Sequence, residues 1–190
     1  TVKSPSRFPL FPRLKFGYQT DKVGELAFSY VQRVIRPYGS YLNVFTDRSD
    51  ATHIWRGNPD LKDEMIHSIE LSYSYATSVF RLSPSFYSRN KRNRIMDKVE
   101  NAGASGTIWT KENIGHSQTF GFELFGTWQP VRILSIGLSG DIYRDEIDGR
   151  TIGYDEKKSM VCGDIKGSVN ISITPTTELQ LDGFYISDQL

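Results

Sequence analysis

Residues 161–173 read Val-Cys-Gly-Asp-Ile-Lys-Gly-Ser-Val-Asn-Ile-Ser-Ile. Successive side chains of a β-strand point to opposite faces, so this alternation predicts a strand with one apolar face and one polar face. The apolar face carries Val161, Ile165, Val169, Ile171 and Ile173, and the polar face carries Asp164, Lys166, Ser168, Asn170 and Ser172. A sheet buried on both sides would not tolerate the polar set, so the two faces of this strand meet different surroundings.

The same alternation recurs along the chain, most clearly over 119–129 and 134–143. Weaker copies lie over 14–18, 26–34, 68–75, 78–88 and near 179–181. A helical period is not found over any useful length. The chain is therefore predicted to be all-β, an antiparallel up-and-down meander of about eight strands.

The connections between these strands alternate in length. Short turns near 20–24, 75–77, 129–132 and 174–177 alternate with long polar stretches near 35–65, 89–117 and 144–158. Successive turns of a meander fall on opposite rims, so every long loop is predicted on one rim, as in outer-membrane barrels with long extracellular loops. Residues 1–190 are thus interpreted as a single β-barrel segment, part of an outer-membrane barrel or closing into one. Aromatic residues near strand ends predict a girdle at the lipid headgroups: Tyr73, Tyr75, Trp128 and Tyr143.

Composition argues against several other classes of function. The 23 Lys and Arg nearly balance the 22 Asp and Glu, so no global field would recruit nucleic acid. Cys162 is the single cysteine, and the three histidines show no zinc spacing. Glu123 has no second carboxylate or histidine placed against it for acid–base work. We expect no enzyme activity, no cofactor, no metal site and no nucleic-acid partner.

The start of the chain carries no export signal, which leaves a cytosolic protein or an internal piece of an exported one.

Three stretches of the chain resemble motifs of one family. Residues 56–64, RGNPDLKDE, followed by HSIELSY at 67–73, are similar to the GNPxLKPE segment of TonB-dependent receptors, especially those of Bacteroidetes, with Asp63 where proline is usual. Residues 29–37, SYVQRVIRP, and 112–124, ENIGHSQTFGFEL, resemble two further motifs in the family's order. The motif positions given structural roles are Gly57, Asn58, Pro59, Leu61, Glu64, Asn113, Gly115, Gly121 and Glu123.

Physical reasons accompany these positions. Asn58 and Pro59 favour a turn that leads the chain back into a strand. Gly115 and Gly121 fit places of unusual φ or close approach, and Glu123 lies on the polar side of its strand.

The resemblance implies the C-terminal part of a 22-stranded barrel in the bacterial outer membrane, without its plug domain. Such receptors import a scarce nutrient with energy delivered through TonB. The implied partners are outer-membrane lipid, the TonB system and an unknown nutrient. Free sheet edges would also allow an edge-paired homo-oligomer.

Candidate ligand contacts come from the long loops, where exposed Trp and Arg often anchor binding: Trp55, Arg56, Trp109 and Tyr154. The basic run at 88–94 is interpreted as the charged end of a strand, with lipopolysaccharide phosphates as a hypothetical contact. The acids of one loop, Asp145, Glu146, Asp148, Asp155 and Glu156, are expected to be solvated rather than to bind Ca²⁺.

Two alternatives stay open at this point. One is a soluble β-sandwich that binds glycans through loop aromatics. The other is a small complete outer-membrane barrel, since eight strands suffice to close one.

Overall fold

The computed structural model describes residues 10–21, 23–47, 53–101, 103, 106–148, 150 and 157–188. Among these residues, ten strands form one sheet: β1 (Arg13–Thr20), β2 (Gly24–Ile35), β3 (Thr46–Asp47), β4 (His53–Arg56), β5 (Glu64–Ala76), β6 (Phe80–Asn101), β7 (Thr107–Val131), β8 (Leu134–Asp148), β9 (Lys157–Thr174) and β10 (Thr177–Ile186). Within these residues, no helix has both the length and the apolar character needed to cross a membrane.

Eight of the strands follow one another across the sheet in the order β1-β2-β5-β6-β7-β8-β9-β10, each antiparallel to its neighbours. The predicted antiparallel meander of about eight strands is confirmed. Because all the described strands belong to one sheet, the two-sheet sandwich is wrong. The small closed barrel is not formed by the described strands either, since β1 pairs only with β2 and β10 only with β9.

One face of the sheet, here called the outer face, is apolar and exposed. Its middle row of cross-strand partners runs Phe16, Phe28, Leu71, Phe86, Phe122 and Ile142. Phe16 is 71% exposed and Phe86 is 61% exposed, whereas the buried apolar residues of the described chain are few and scattered. Water would penalise so large an exposed apolar surface, whereas lipid would not.

The apolar band on β7 has the dimensions of a membrane contact. From Phe120 to Trp128 its outward side chains span about 27 Å of strand at about 3.4 Å per residue. With the usual barrel tilt of about 40°, this covers about 20 Å of the roughly 25 Å apolar band of outer-membrane barrels. We call this band, together with the outward apolar residues of the neighbouring strands, the apolar belt.

The opposite, inner face is largely polar. Its partners in register include Ser85, Glu123, Asp141 and Asp164, so Glu123 lies on the polar face as predicted. The expectation that no second carboxylate is placed against Glu123 was wrong, because the register of β7 and β8 puts Asp141 opposite it. Tyr143 also lies on this face, between Gly121 and Cys162 in the pairing register.

The assignment of Tyr143 to the aromatic girdle was therefore wrong. Nearness to a strand end does not fix which face a residue occupies, whereas its alternation parity does. Tyr73, Tyr75 and Trp128 do lie on the outer face near the short turns, where the rings of Tyr75 and Phe80 are 6.4 Å apart.

The long loop predicted near 89–117 is mostly strand. β6 and β7 continue as a paired hairpin up to Asn101 and Thr107, which corrects that prediction. A polar sequence can pair as well as an apolar one when cross-strand ion pairs replace apolar contacts. Here Lys98 contacts Glu112 at 2.8 Å and Lys111 contacts Asp97 at 2.6 Å.

The other two long connections also contain strand. Around 144–158, β8 runs on to Asp148 and β9 begins at Lys157, so 149–156 separates them and lies largely outside the described residues. Between β2 and β5 the chain is mostly irregular and contains only the short strands β3 and β4 among its described residues.

Candidate functional site

The far end of the β6–β7 hairpin carries the loop between β2 and β5. Pairing with β8 begins at His116, so nine residues of β7, 107–115, extend past β8 for about 30 Å. Strand β4 pairs in parallel with this extension, placing Trp55 opposite Trp109. The loop thus crosses the hairpin, and its strand β4 pairs with the edge of β7 that β8 does not reach.

Asn113 fastens the loop to the hairpin. Its side-chain oxygen accepts a hydrogen bond from the Lys62 backbone N–H at 2.7 Å, and its amide donates to the Lys62 carbonyl at 3.0 Å. The same amide donates to the Asn93 carbonyl on β6 at 2.7 Å. An asparagine side chain carries both a donor group and an acceptor, so a single residue can satisfy both backbone groups of Lys62.

Asn58 makes the second attachment. Its side-chain amide donates to the Lys111 carbonyl at 3.0 Å, while its side-chain oxygen accepts from the Asp60 N–H at 3.0 Å and closes a turn over Pro59. The Leu61 N–H donates to the Asn58 carbonyl at 3.4 Å, which continues the turn.

Gly57, just before this turn, is buried. A Cβ atom there would collide with the Asn43 carbonyl, so the backbone approach requires glycine.

Glu64 makes the third attachment, where the loop enters β5. It is 7% exposed, and its carboxylate accepts a hydrogen bond from the Ile95 N–H at 3.2 Å. Asn93, with a φ of 55°, donates to the Asp63 carbonyl at 3.4 Å. We call these three attachments, through Asn58, Asn113 and Glu64, the loop clamp.

Asn58, Glu64 and Asn113 were all identified from the sequence, but their shared role in holding one loop was not. Asn113 bonds to Lys62 across 51 residues of chain, and no local pattern signals a contact of that separation. Asn93 was missed as well: asparagine is enriched in the left-handed conformation, but the basic run around Asn93 carries no other turn signal.

A polar cavity of about 390 Å³ lies beside the clamp. It is lined by Val44, Arg56, Gly57, Asn58, Pro59, Lys98, Glu100, Thr110 and Glu112. Lys98 contacts Glu112 at 2.8 Å and Glu100 at 3.2 Å, and Arg56 contacts Glu100 at 3.8 Å. The hydrogen bonds from Glu112 and Glu100 raise the pKa of Lys98, so its ammonium group stays charged.

Three of the four predicted ligand residues meet at this end of the molecule. Trp55 and Trp109 are neighbours across β4 and β7, and Arg56 reaches the cavity. The Lys111 ammonium lies 6.0 Å from the Trp55 ring centroid and 5.1 Å from that of Tyr41, within cation–π range. Tyr154 lies outside the described residues.

A second polar cluster lies on the inner face, around Tyr87. Its hydroxyl donates to the two Asp141 carboxylate oxygens at 3.0 and 2.9 Å. A Cβ atom on Gly121 would collide with the Tyr87 ring, so the close approach expected at Gly121 is present. The Arg89 guanidinium lies 4.3 Å from the Tyr87 ring centroid. Gly115, the other predicted glycine, lies within β7.

Three acids of the β8–β9 region each contact a different partner. Asp145 accepts from the Thr119 hydroxyl at 2.7 Å, and Glu146 contacts Lys157 at 3.2 Å. The hydrogen bond from Arg150 lowers the pKa of Asp148 to about 2. Asp155 and Glu156 lie outside the described residues. Within the described ranges, no group of three or more His, Cys, Asp or Glu side chains could hold a metal ion.

These features agree with the comparison with known families. A family model described as the outer membrane protein β-barrel family matches residues 1–190. The chain belongs to this family. Its location in the bacterial outer membrane follows, and it accounts for the apolar belt of this outer membrane β-barrel protein as a lipid contact.

Solved structures share the fold of this family member. The siderophore receptor PirA from Pseudomonas aeruginosa matches with a TM-score of 0.62 and 11% identity, over 90% of this chain and 37% of its own. The copper transporter OprC matches with a TM-score of 0.51 and 12% identity, over 90% of this chain and 32% of its own. A mutant of the ferric enterobactin receptor PfeA from Pseudomonas aeruginosa matches with a TM-score of 0.50 and 13% identity, over 90% of this chain and 34% of its own.

The chain therefore spans about a third of the length of these receptors. No curated protein matches it.

Proposed function

We propose that the chain is part of a TonB-dependent outer-membrane receptor that imports a scarce nutrient. The observation that carries this proposal is an open meander of eight strands that matches 37% of the length of a siderophore receptor. Plugged outer-membrane transporters have about 22 strands, and eight is about a third of that number. The three motifs that resemble TonB-dependent receptors support the same assignment.

The rim that carries the β6–β7 extension is proposed to face the outside of the cell. Outer-membrane barrels place their short turns in the periplasm and their long excursions outside. The short turns of this chain, at 77–79 and 175–176, lie on the opposite rim from the extension.

The nutrient is proposed to make its first contact where β4 pairs with β7. Trp55 and Trp109 offer ring faces on the side of these strands that carries Lys111. Arg56 offers a charge on the side of the cavity, where it pairs with Glu100 at 3.8 Å. Tryptophan rings and a guanidinium group together suit a small solute that has both a polar group and an apolar or aromatic surface. Tyr154 stays a proposed ligand residue.

Uptake measured in cells tests the assignment. The full receptor is deleted, and growth is compared under limitation of iron, of copper or of complex carbon. The wild-type gene and a double Trp55→Ala, Trp109→Ala variant are then restored separately. We expect one limitation to reveal a growth defect, the wild-type gene to repair it, and the double variant to lower uptake at least about tenfold.

Two controls make the result specific. Trp128→Ala removes a tryptophan from the outer face and should leave uptake unchanged, provided that surface display is equal. A strain without TonB should lose uptake completely. Import that continues at the wild-type rate without TonB would contradict the proposal.

The predictions of no enzyme activity, no cofactor and no nucleic-acid partner stay predictions, as does the edge-paired homo-oligomer.

A further inference from the structure

On four neighbouring strands, β6 to β9, the outward residues change from apolar to polar. The apolar belt ends at Phe86, Phe120, Ile142 and Val161, and the next outward residues are the polar Ser88, Gln118, Arg144 and Ser159. On neighbouring strands this change occurs at residues that are cross-strand partners or that are offset by two residues along the strand. The change therefore forms a continuous border along the upper edge of the apolar belt.

Exposed cations stand at and beyond this border. We call them the outer collar: Arg92 on β6, Arg144 on β8 and Lys157 on β9. The side chains of Arg144 and Lys157 are 61% and 51% exposed, and they share one carboxylate, that of Glu146, at 3.8 and 3.2 Å.

The carboxylates nearby do not neutralise the collar. Arg92 is exposed and makes no ion pair with any other residue that the structure describes. Asp148, the cross-strand partner of Lys157, is already engaged by Arg150 at 2.6 Å. The collar thus presents excess positive charge directly above a surface that contacts lipid chains.

We propose that the outer collar binds phosphate groups on the headgroups of lipids in the outer leaflet. The collar is continuous with the apolar belt, so a lipid whose chains lie against Phe86 and Ile142 has its headgroup beside Arg144. Arg92 and Lys157 follow about 14 Å further along the strands. Arginine matches phosphate because its planar guanidinium donates two parallel hydrogen bonds to it. This inference rests on the proposed function in one respect, namely that the β6–β7 extension faces outward.

The test measures lipid bound to the full receptor in detergent micelles. The probes are bisphosphorylated lipid A, dephosphorylated lipid A and inorganic phosphate. The main variant is the double Arg92→Gln, Arg144→Gln protein. The matched control is Lys91→Gln, because Lys91 adjoins Arg92 on β6 but faces inward, opposite Ser117.

A cation beside an anionic lipid surface contributes about fivefold to binding, so the double variant should bind bisphosphorylated lipid A about 25-fold more weakly than wild type. Lys91→Gln should bind like wild type, and a double Arg92→Lys, Arg144→Lys variant should retain most of the affinity. Dephosphorylated lipid A should bind wild type as weakly as bisphosphorylated lipid A binds the glutamine variant. The single Arg92→Gln variant should lose about fivefold, which provides a second measurement if the double variant folds poorly.

Equal binding of bisphosphorylated lipid A by the glutamine variant and by wild type would overturn the proposal. So would full displacement of the lipid by millimolar inorganic phosphate, because the site would then take a free anion. The collar variants should import nutrient at the wild-type rate, so a failure here is separate from a failure of the proposed transport function.

Discussion

At the scale of single residues, Tyr87 fills the place of the side chain that Gly121 lacks. Its ring lies over Gly121, its cross-strand partner, and its hydroxyl reaches Asp141 on the next strand, so one residue links three strands on the inner face. The ring is buried there, whereas the rest of the inner face is largely polar. This inner-face link depends on glycine because any Cβ atom at position 121 would displace the ring.

Gly121→Ala should therefore destabilise the protein by about 2 kcal/mol or more, because overpacking adds to the loss of a hydrogen bond to a charged group. Gly167→Ala is the matched control, since Gly167 is also within a strand but has open space where its Cβ would lie. Unfolding in urea, followed by tryptophan fluorescence in detergent, measures both. Equal unfolding midpoints for the two variants would contradict the role given to Tyr87.

Sequence alone predicted that Gly121 needs either an unusual φ or a close approach, because a glycine inside an alternating strand often marks a point where another group comes near the backbone. It did not predict that Tyr87 is the approaching residue. The two residues lie on different strands and meet only through the register of β6 and β7. The roles of Asn58 and Asn113 were limited in the same way, since a turn is local and a clamp is not.

At the scale of strands, alternation identified the eight strands of the meander and the face of most residues. The alternation predicted the ends of the strands poorly. The extension of β6 and β7 past residue 89 has charged residues on both faces, and its pairing depends on partners such as Lys98 and Glu112 that only the register brings together. A hydrophobic period cannot detect a hairpin that is held by ion pairs.

Phe122 and Glu123 offer a direct test of which face meets lipid. Phe122→Arg places a charge in the middle of the apolar belt and should cost about 2–4 kcal/mol of folding free energy in a bilayer. Glu123→Arg puts the same side chain one residue further along, on the inner face opposite Asp141, and should cost little. Folding into lipid vesicles, followed by the mobility difference between boiled and unboiled samples, reports both. A larger loss for the Glu123 variant would reverse the face assignment.

At the scale of the whole molecule, the rim asymmetry and the two-faced strands were enough to predict an outer-membrane barrel. Whether the sheet closes could not be predicted from the sequence, because closure depends on which strands pair with β1 and β10. No local pattern specifies those partners. Among the described residues the two edges stay apart in the sheet order, with six strands of the meander between them.

Disulfide trapping distinguishes an open sheet from a small closed barrel. In a Cys162→Ser background, cysteines at Lys15 and Ser29 should form a disulfide, because these residues are cross-strand partners. A cysteine at Gly17 combined with single cysteines along β10 should form none within one chain, since each of these strands has its described neighbour on one side only. Rapid intrachain oxidation between β1 and β10 would mean that the eight strands close on themselves.

The loop clamp also has a consequence for the order of folding. Six of the seven neighbour pairs along the meander join strands that follow directly in the chain, so their loops close at small entropic cost. The clamp instead joins Lys62 to Asn113 across 51 residues, and it needs β5, β6 and β7 already paired before its partners are in place. Contacts of long sequence separation form slowly. We therefore expect the loop that carries Trp55 and Arg56 to reach its native position after β5, β6 and β7 have paired, and the polar cavity beside the clamp to be complete only then.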